Sequence, residues 1–436
     1  MGLLKRGRRR KRACVVGLDG VPHSLLTRLM ADGVMPATAR IAAEGTLQPM
    51  TVTLPEISAV SWPGFMTGTD SGTHGIFGFV DLKANSYVLT FPSYTQLKAP
   101  TLWDRLAEKG KRSVVINQPS TYPARPMNGV LISGFVAVDM AKAVYPARHL
   151  ARLRQLGYRI DVDTQRARSD PSFLMEELRS TLDARRRVVD HFWEAEDWDY
   201  FEVVITGTDR LHHFLWSALE DSAHPFHGAA LEYYGQIDAF LGRMAYRFAR
   251  LSGQDGPIPG FFLLSDHGFT AIHQEVYLNR WLQEQGYLAF SSRSPESLEE
   301  LAEGSRAFAL DPSRIYLNLR GKYPKGCVSE EQVCRLREEL VEKLQNLQCD
   351  GLKVVQRVFR REEVYSGPLA EQGPDLVVLS QRGFDLKGSL RQSEVFGRSG
   401  LEGMHTWDDA FFFSDEPPRE EFCITDCAEI ILRTVL

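Results

Sequence analysis

The chain has 436 residues, 43% hydrophobic and 25% charged, the composition of a large folded protein with an ample core. Its 51 basic and 56 acidic residues give a net charge of −5, so the chain as a whole is not built to coat nucleic acid. The six cysteines form no Cys-x-x-Cys pair, which points to a reducing compartment, with the cytoplasm as the expected location, rather than to a disulfide scaffold.

The opening "MGLLKRGRRRKRACVVGLDG" is basic. Residues 1–12 read as a flexible tail, with weak contact to an acidic membrane as the sharper alternative. The apolar run that follows is too short for a signal h-region or a spanning helix. "ACVVGLDG" reads as a strand buried on both faces that ends in a polar loop at Asp19. "HSLLTRLMADG" then has helical spacing and a Gly stop. "LPEISAVSWPGFMTG" starts as a loop and turns apolar like a buried helix. Its hydroxyls, Ser58, Ser61 and Thr67, are each a nucleophile or a capping group until something is found to activate one. "SGTHGIFGF" places His74 in a tight Gly-rich stretch, where it holds the loop.

The helix "TLWDRLAEKGK" leads into a second buried strand, "RSVVINQPSTYP". From about 140 to 185 the chain is charged and helical. "YFEVVITGTDR" is a third strand, and the following "TDRLHHF" sets Asp209 and His213 four apart, on one face of a helix start. His212 competes with His213 for that role. "GFFLLSDHGF" is a fourth strand, after which Asp266 and His267 converge if the chain turns sharply, as Gly268 permits. Residues 288–399 form a different unit, with strands such as "SRIYLNL" and "PDLVVLS" and the long helix "SEEQVCRLREELVEKLQNL". The end of the chain, 400–436, returns to a strand and a closing helix and carries His405 in "GMHTW".

Strands and helices in alternation predict an α/β fold with a doubly wound, mostly parallel sheet flanked by helices. The expected organisation is a core over 13–287, an inserted α+β cap over 288–399, and a return to the core over 400–436. Ligands of such sheets bind beyond the carboxyl ends of the strands. Asp19, Asp209, His213, Asp266, His267 and His405 fall mainly at that edge. Three carboxylates and three imidazoles suit two divalent ions, Zn²⁺ first and Mn²⁺ second. Two such ions are a known device for phosphoryl transfer, and they would activate a neighbouring hydroxyl.

With these motifs in order, the chain resembles the alkaline phosphatase superfamily in its type I phosphodiesterase / nucleotide pyrophosphatase branch. "VVGLDG", "PEISAVSWPGFMTG", "THGIFGF", "INQPSTYPA", "GTDRLHHFLW", "LLSDHGF" and the late "GMH" carry the resemblance over most of the chain. It implies that Ser58, ten residues before Gly68, is the nucleophile. It also implies that Asp209, His213 and His405 hold one metal, while Asp19, Ser58, Asp266 and His267 surround the other. Hydrolysis of a phosphodiester or phosphoanhydride through a phosphoseryl intermediate is the implied reaction. A phosphomutase, a phosphonate hydrolase and a non-catalytic phosphate-binding protein are the alternatives. The partner expected is a small phosphate ester, with no stable nucleic-acid partner, and the oligomeric state stays open. Where the nucleotide pyrophosphatases carry an Asn shortly after "HGI", this chain has Phe79. Asn117 is the replacement phosphate donor proposed from sequence, with strand-end capping as its competing role. The basic "FRR" from Phe359 to Arg361 is expected to help the cap select substrate, with a solvated strand end as the alternative.

Overall fold

The structure, a computed structural model, describes residues 11–252 and 259–436. The basic run from Lys5 to Arg10 lies outside them. Arg12 is tied to the fold: its Nε donates to the Trp198 carbonyl at 3.0 Å, and its guanidinium lies 5.3 Å from the centre of that ring.

The main sheet has eight strands: β1 (Ala13–Leu18), β2 (Thr46–Met50), β3 (Ser113–Gln118), β4 (Gly129–Ser133), β5 (Val144–Tyr145), β6 (Tyr200–Ile205), β7 (Phe261–Leu264) and β8 (Ala410–Ser414). Their spatial order is β2-β8-β7-β1-β6-β3-β4-β5. The five central strands, β7 to β4, are parallel. The antiparallel pairings lie towards the two edges, where β8 joins β7 to β2 and β5 closes on β4. This is the mostly parallel, helix-flanked sheet that the continuous apolar strands predict.

The two faces of the sheet are packed by two separate cores, because successive side chains of a strand point to opposite sides. On β1, Cys14, Val16 and Leu18 join one cluster. Residues of the helices His23–Ala31, Pro171–Ala195 and His227–Ser252 pack into the same cluster. Ala13 and Val15 join the other cluster, together with residues of the helices Ser58–Thr67, Leu102–Glu108 and Cys427–Val435. The helix Pro171–Ala195 starts where the sequence chemistry allows it: Pro171 occupies the first turn and the Asp170 carboxylate accepts from the Phe173 N–H.

A second, four-stranded antiparallel sheet is built from later residues, with Ala307–Leu310, Arg314–Leu317, Leu376–Ser380 and Val355–Arg360 adjacent in that order. The helix Glu330–Gln345 packs on it through Leu336, Leu340 and Leu344. Residues as early as Val276, Leu278 and Trp281 contribute to the same hydrophobic cluster, and so does Tyr87 from the core. Arg314 clasps this sheet to the segment around Asp81. Its side chain is fully buried, with Nη1 2.6 Å from Asp81 Oδ1 and Nη2 donating to the Val80 carbonyl at 2.7 Å. Removing one member of a buried ion pair leaves the other uncompensated, at a cost of about 3–5 kcal/mol. Asp81→Ala is therefore expected to lower the urea midpoint strongly. An unchanged midpoint would show that the clasp contributes nothing.

Among the described residues, no helix is long and apolar enough to cross a membrane.

Candidate active site

Parallel register sets the site. Leu18 pairs with Ile205 and Gly17 with Leu264, so β1, β6 and β7 end side by side. The loops after β1 and β7 deliver Asp19 and the pair Asp266–His267 to one edge, and the helix Gly207–Leu215 after β6 brings Asp209 there. Gly20 allows a close approach. Its φ of 66° favours glycine, and a Cβ there would lie 2.9 Å from the His267 ring. The turn lets the Gly20 N–H donate to Asp266 Oδ1 at 3.0 Å.

The helix Ser58–Thr67 is buried along its length and stops at Gly68, whose left-handed φ is 69°. Ser58 opens its first turn, so the unsatisfied N–H groups and positive dipole end of the helix lie at the site. Ser58 Oγ sits 3.2 Å from Asp19 Oδ1 and 3.1 Å from His267 Nε2. The other two hydroxyls point elsewhere. Thr67 Oγ1 donates to the Pro63 carbonyl at 2.7 Å, and Ser61 Oγ lies 3.5 Å from Thr53 Oγ1.

The three imidazoles share one orientation. Nδ1 of His213 donates to the Gly403 carbonyl at 3.0 Å, Nδ1 of His405 to the Glu56 carbonyl at 2.9 Å, and Nδ1 of His267 to the Gly268 carbonyl at 3.0 Å. A carbonyl only accepts, so Nδ1 carries the proton in each ring and Nε2 of the neutral ring presents a lone pair. The Nε2 atoms of His213 and His405 face each other at 3.1 Å. Burial holds the pKa values of His405 and His267 below the ordinary histidine value, which keeps both rings neutral and able to coordinate.

Asp209 Oδ1 lies 3.4 Å from His213 Nε2 and 3.3 Å from His405 Nε2. Burial opposes its ionisation, yet His213, His405 and Arg210 together hold its pKa well below the usual carboxylate range. Arg210 donates to Asp209 Oδ2 at 2.8 Å and is itself held by Asp161. Asp19 and Asp266 go the other way. Burial, reinforced by neighbouring carboxylates, pushes Asp19 well up and Asp266 to about 7.

Two sets of ligand atoms fall close enough for one ion each: Asp209, His213 and His405, and Asp19, Asp209 and His267. Asp209 belongs to both. Asp209 Oδ1 and Asp266 Oδ2 are buried without a hydrogen-bond partner, and Asp266 Oδ2 lies 3.4 Å from His267 Nε2. Orphaned carboxylate oxygens beside imidazole Nε2 atoms form the donor set that divalent cations require.

Residues 13–408 match the family model for type I phosphodiesterase / nucleotide pyrophosphatase. The chain belongs to that family, whose members are phosphoric ester hydrolases. Its fold is also that of two solved structures. Phosphonoacetate hydrolase from Sinorhizobium meliloti 1021, in complex with phosphonoacetate, superposes with a TM-score of 0.65 at 17% identity, over 99% of this chain and 98% of that one. Murine ectonucleotide pyrophosphatase/phosphodiesterase 5, in complex with AMP, does so with a TM-score of 0.56 at 13% identity, over 98% and 95%. No curated protein sequence matches the chain significantly.

The structure gathers Asp19, Ser58, Asp209, His213, Asp266, His267 and His405, and it leaves other sequence candidates aside. Asn117 is not brought to the site. It is fully buried, its Nδ2 donates to the Val204 carbonyl at 3.1 Å, and its Oδ1 accepts from Tyr158 Oη at 2.9 Å. That amide is consumed at the strand end, the competing role considered from sequence. His212 is buried away from the ligands, its Nδ1 donating to the Gly20 carbonyl and its Nε2 2.6 Å from Tyr234 Oη. His74 Nδ1 accepts from the Ile76 N–H at 3.2 Å within its turn. In "FRR", Arg361 is bound to Asp375 at 2.8 Å, and none of the three residues lines the cavity beside the site. Sequence reasoning passed over Glu56, Arg210, Asp385 and Lys387. The one legible signal was "FDLK", where Asp385 and Lys387, two apart on a strand, share a face.

Proposed function

We propose that the protein hydrolyses phosphodiesters or phosphoanhydrides, with Ser58 as nucleophile and two divalent cations, Zn²⁺ or Mn²⁺, as cofactors. The observation that carries this reading is the convergence of His213 Nε2 and His405 Nε2, 3.1 Å apart, on the unpartnered Asp209 Oδ1. Two imidazole nitrogens and a carboxylate oxygen converging in this way are a donor set that a divalent cation takes. Asp209, His213 and His405 would hold one ion, and Asp19, Asp266 and His267, with Ser58 Oγ, the other.

When bound, such ions lower the pKa of an adjacent hydroxyl and offset negative charge on phosphoryl oxygens. The chain supplies the rest. Asp19 and His267 hold Ser58 Oγ in place, and the first turn of the helix Ser58–Thr67 favours an anion beside it. Ser58 Oγ attacks phosphorus in line, the P–O bond to the leaving group breaks, and water later cleaves the phosphoseryl ester. Glu56, with its pKa pushed by burial to about 7, borders the cavity on the His405 side.

Protein stripped with chelator and reconstituted with Zn²⁺ or Mn²⁺ is expected to hydrolyse bis(p-nitrophenyl) phosphate faster than p-nitrophenyl phosphate. Monoester preference would move the substrate class. Turnover that is equal with and without metal would refute the two-ion reading. The second reading is phosphonate hydrolysis, motivated by the full-length superposition on phosphonoacetate hydrolase. Release of phosphate from phosphonoacetate at a rate above that from the diester would favour it.

A further inference from the structure

The charged, helical segment over 140–185 supplies neither set of ligand atoms, yet one of its side chains reaches the site. Arg210 divides its guanidinium between two carboxylates. Nη1 donates to Asp209 Oδ2 at 2.8 Å, while Nε and Nη2 both donate to Asp161 Oδ2, at 3.0 and 2.7 Å. Phe135 covers one face of the guanidinium, with its ring centre 4.4 Å away. The side chains of Asp209, Arg210 and Asp161 are at most 16% exposed, so solvent and salt screen these charges weakly. Asp19, itself a candidate ligand, also lies within the field of Arg210.

The loop that carries Asp161 is fastened in place. Arg185, from the helix Pro171–Ala195, is buried; its Nη2 donates to the Ile160 carbonyl at 3.0 Å and its Nη1 to the Val204 carbonyl at 2.7 Å. One side chain thus ties the loop to β6, the strand that precedes Asp209. Arg185 is a second cation near Asp161, lining the same small cavity, but its bonds go to backbone carbonyls. A pair fixed in this way acts twice on Asp209. It occupies Oδ2, which leaves the unpartnered Oδ1 to face His213 and His405. It also brings no net charge to the cation site, because Asp161 cancels the guanidinium. Without Asp161, an uncompensated positive charge would stand 2.8 Å from the carboxylate that both sets of ligand atoms share, and it would repel a divalent cation there.

We propose that Asp161 is a positioning residue that sets the cation affinity of the site from outside it, by cancelling the charge of Arg210. The proposal rests on the two-ion reading above. It gives the segment over 140–185 a task in the chemistry, although that segment offers no ligand of its own.

The test is the Zn²⁺ dissociation constant of chelator-stripped protein, measured by competition with a chromogenic chelator. The wild type is compared with Asp161→Asn, Arg210→Gln and the double variant. Both replacements keep an amide that can hydrogen-bond, so only the charge of the pair changes: neutral in the wild type and the double variant, positive in Asp161→Asn, negative in Arg210→Gln. Asp161→Asn is expected to bind Zn²⁺ at least ~10-fold more weakly than the wild type, and Arg210→Gln at least ~10-fold more tightly. The double variant is expected to return to within about 3-fold of the wild type. A purely structural role would weaken all three variants. An unchanged constant in Asp161→Asn, weakening in Arg210→Gln, or no recovery in the double variant would each overturn the proposal. Melting curves of the chelated proteins show whether each variant folds. If Asp161→Asn does not fold, Arg210→Gln and the double variant differ by the same one charge, and equal constants for those two overturn the proposal. A wild type that takes up no Zn²⁺ would refute the two-ion reading itself, whereas a wild type that binds Zn²⁺ without this charge ordering among its variants refutes the role of Asp161 alone.

Discussion

Ser58→Ala is expected to abolish diester hydrolysis, lowering kcat by at least ~10⁴-fold, the scale seen when a hydroxyl nucleophile is removed. The argument is geometric. Ser58 Oγ is the hydroxyl of its helix that meets ligand atoms, at 3.2 Å from Asp19 Oδ1 and 3.1 Å from His267 Nε2. Ser61 and Thr67 turn their hydroxyls towards Thr53 and Pro63 and cannot replace it. The substitution removes one oxygen from a residue at a helix start and leaves the carboxylates and imidazoles in place, so cation content should stay at the wild-type level. Loss of rate with unchanged metal stoichiometry, and loss of acid-stable phosphate labelling of the protein, would together identify the nucleophile. A variant that keeps more than a tenth of the wild-type rate would exclude Ser58 from that role.

The second large effect is expected for Asp209→Asn. Asp209 is shared by both sets of ligand atoms, so one substitution weakens both. Asn keeps the shape but loses the charge that two neighbouring cations need. Arg210 is not stranded by the change, because Asp161 Oδ2 remains 2.7 Å from its Nη2. A ~100-fold loss of cation affinity would reduce the metal-induced gain in stability by about 2.7 kcal/mol. Mass spectrometry of metal content after gel filtration, together with melting curves with and without Zn²⁺, reads this directly. Two retained ions and an undiminished metal-induced shift would remove Asp209 from the proposed ligand set.

The sequence was most informative where one residue type had one physical explanation. The continuous apolar runs "ACVVGL" and "YFEVVI" had to be strands buried on both faces, and they became neighbours at the centre of the sheet. Acidic and imidazole side chains directly after such strands had to reach the carboxyl edge, which is why Asp19, Asp209, Asp266 and His267 were visible one by one. Asn117 shows the opposite case. Its place after a strand was legible, but burial and the Tyr158 hydroxyl decided its use, and both come from distant parts of the chain. Lys387 and Asp385 were hidden for the same reason. They lie in a strand far along the chain from Asp19, Ser58 and Asp209, and the pairing of Gln274–Tyr277 with Phe384–Lys387 carries them back beside the site.

β8 has a consequence for how the molecule is made. It lies between β7 and β2, although both of those strands are complete well over a hundred residues earlier in synthesis. Until Ala410–Ser414 leaves the ribosome, β7 has an open edge and β2 has no partner in the sheet. The strand Gly403–Thr406, which brings His405 to the site by pairing with Gly268–Ala271, arrives in the same late stretch. Closure of the sheet and completion of the ligand set thus depend on the same late stretch, Gly403–Ser414. A chain halted inside the cap would expose the strand "FFLL" of β7 along one unpaired edge and would lack His405, making it both inactive and prone to aggregate.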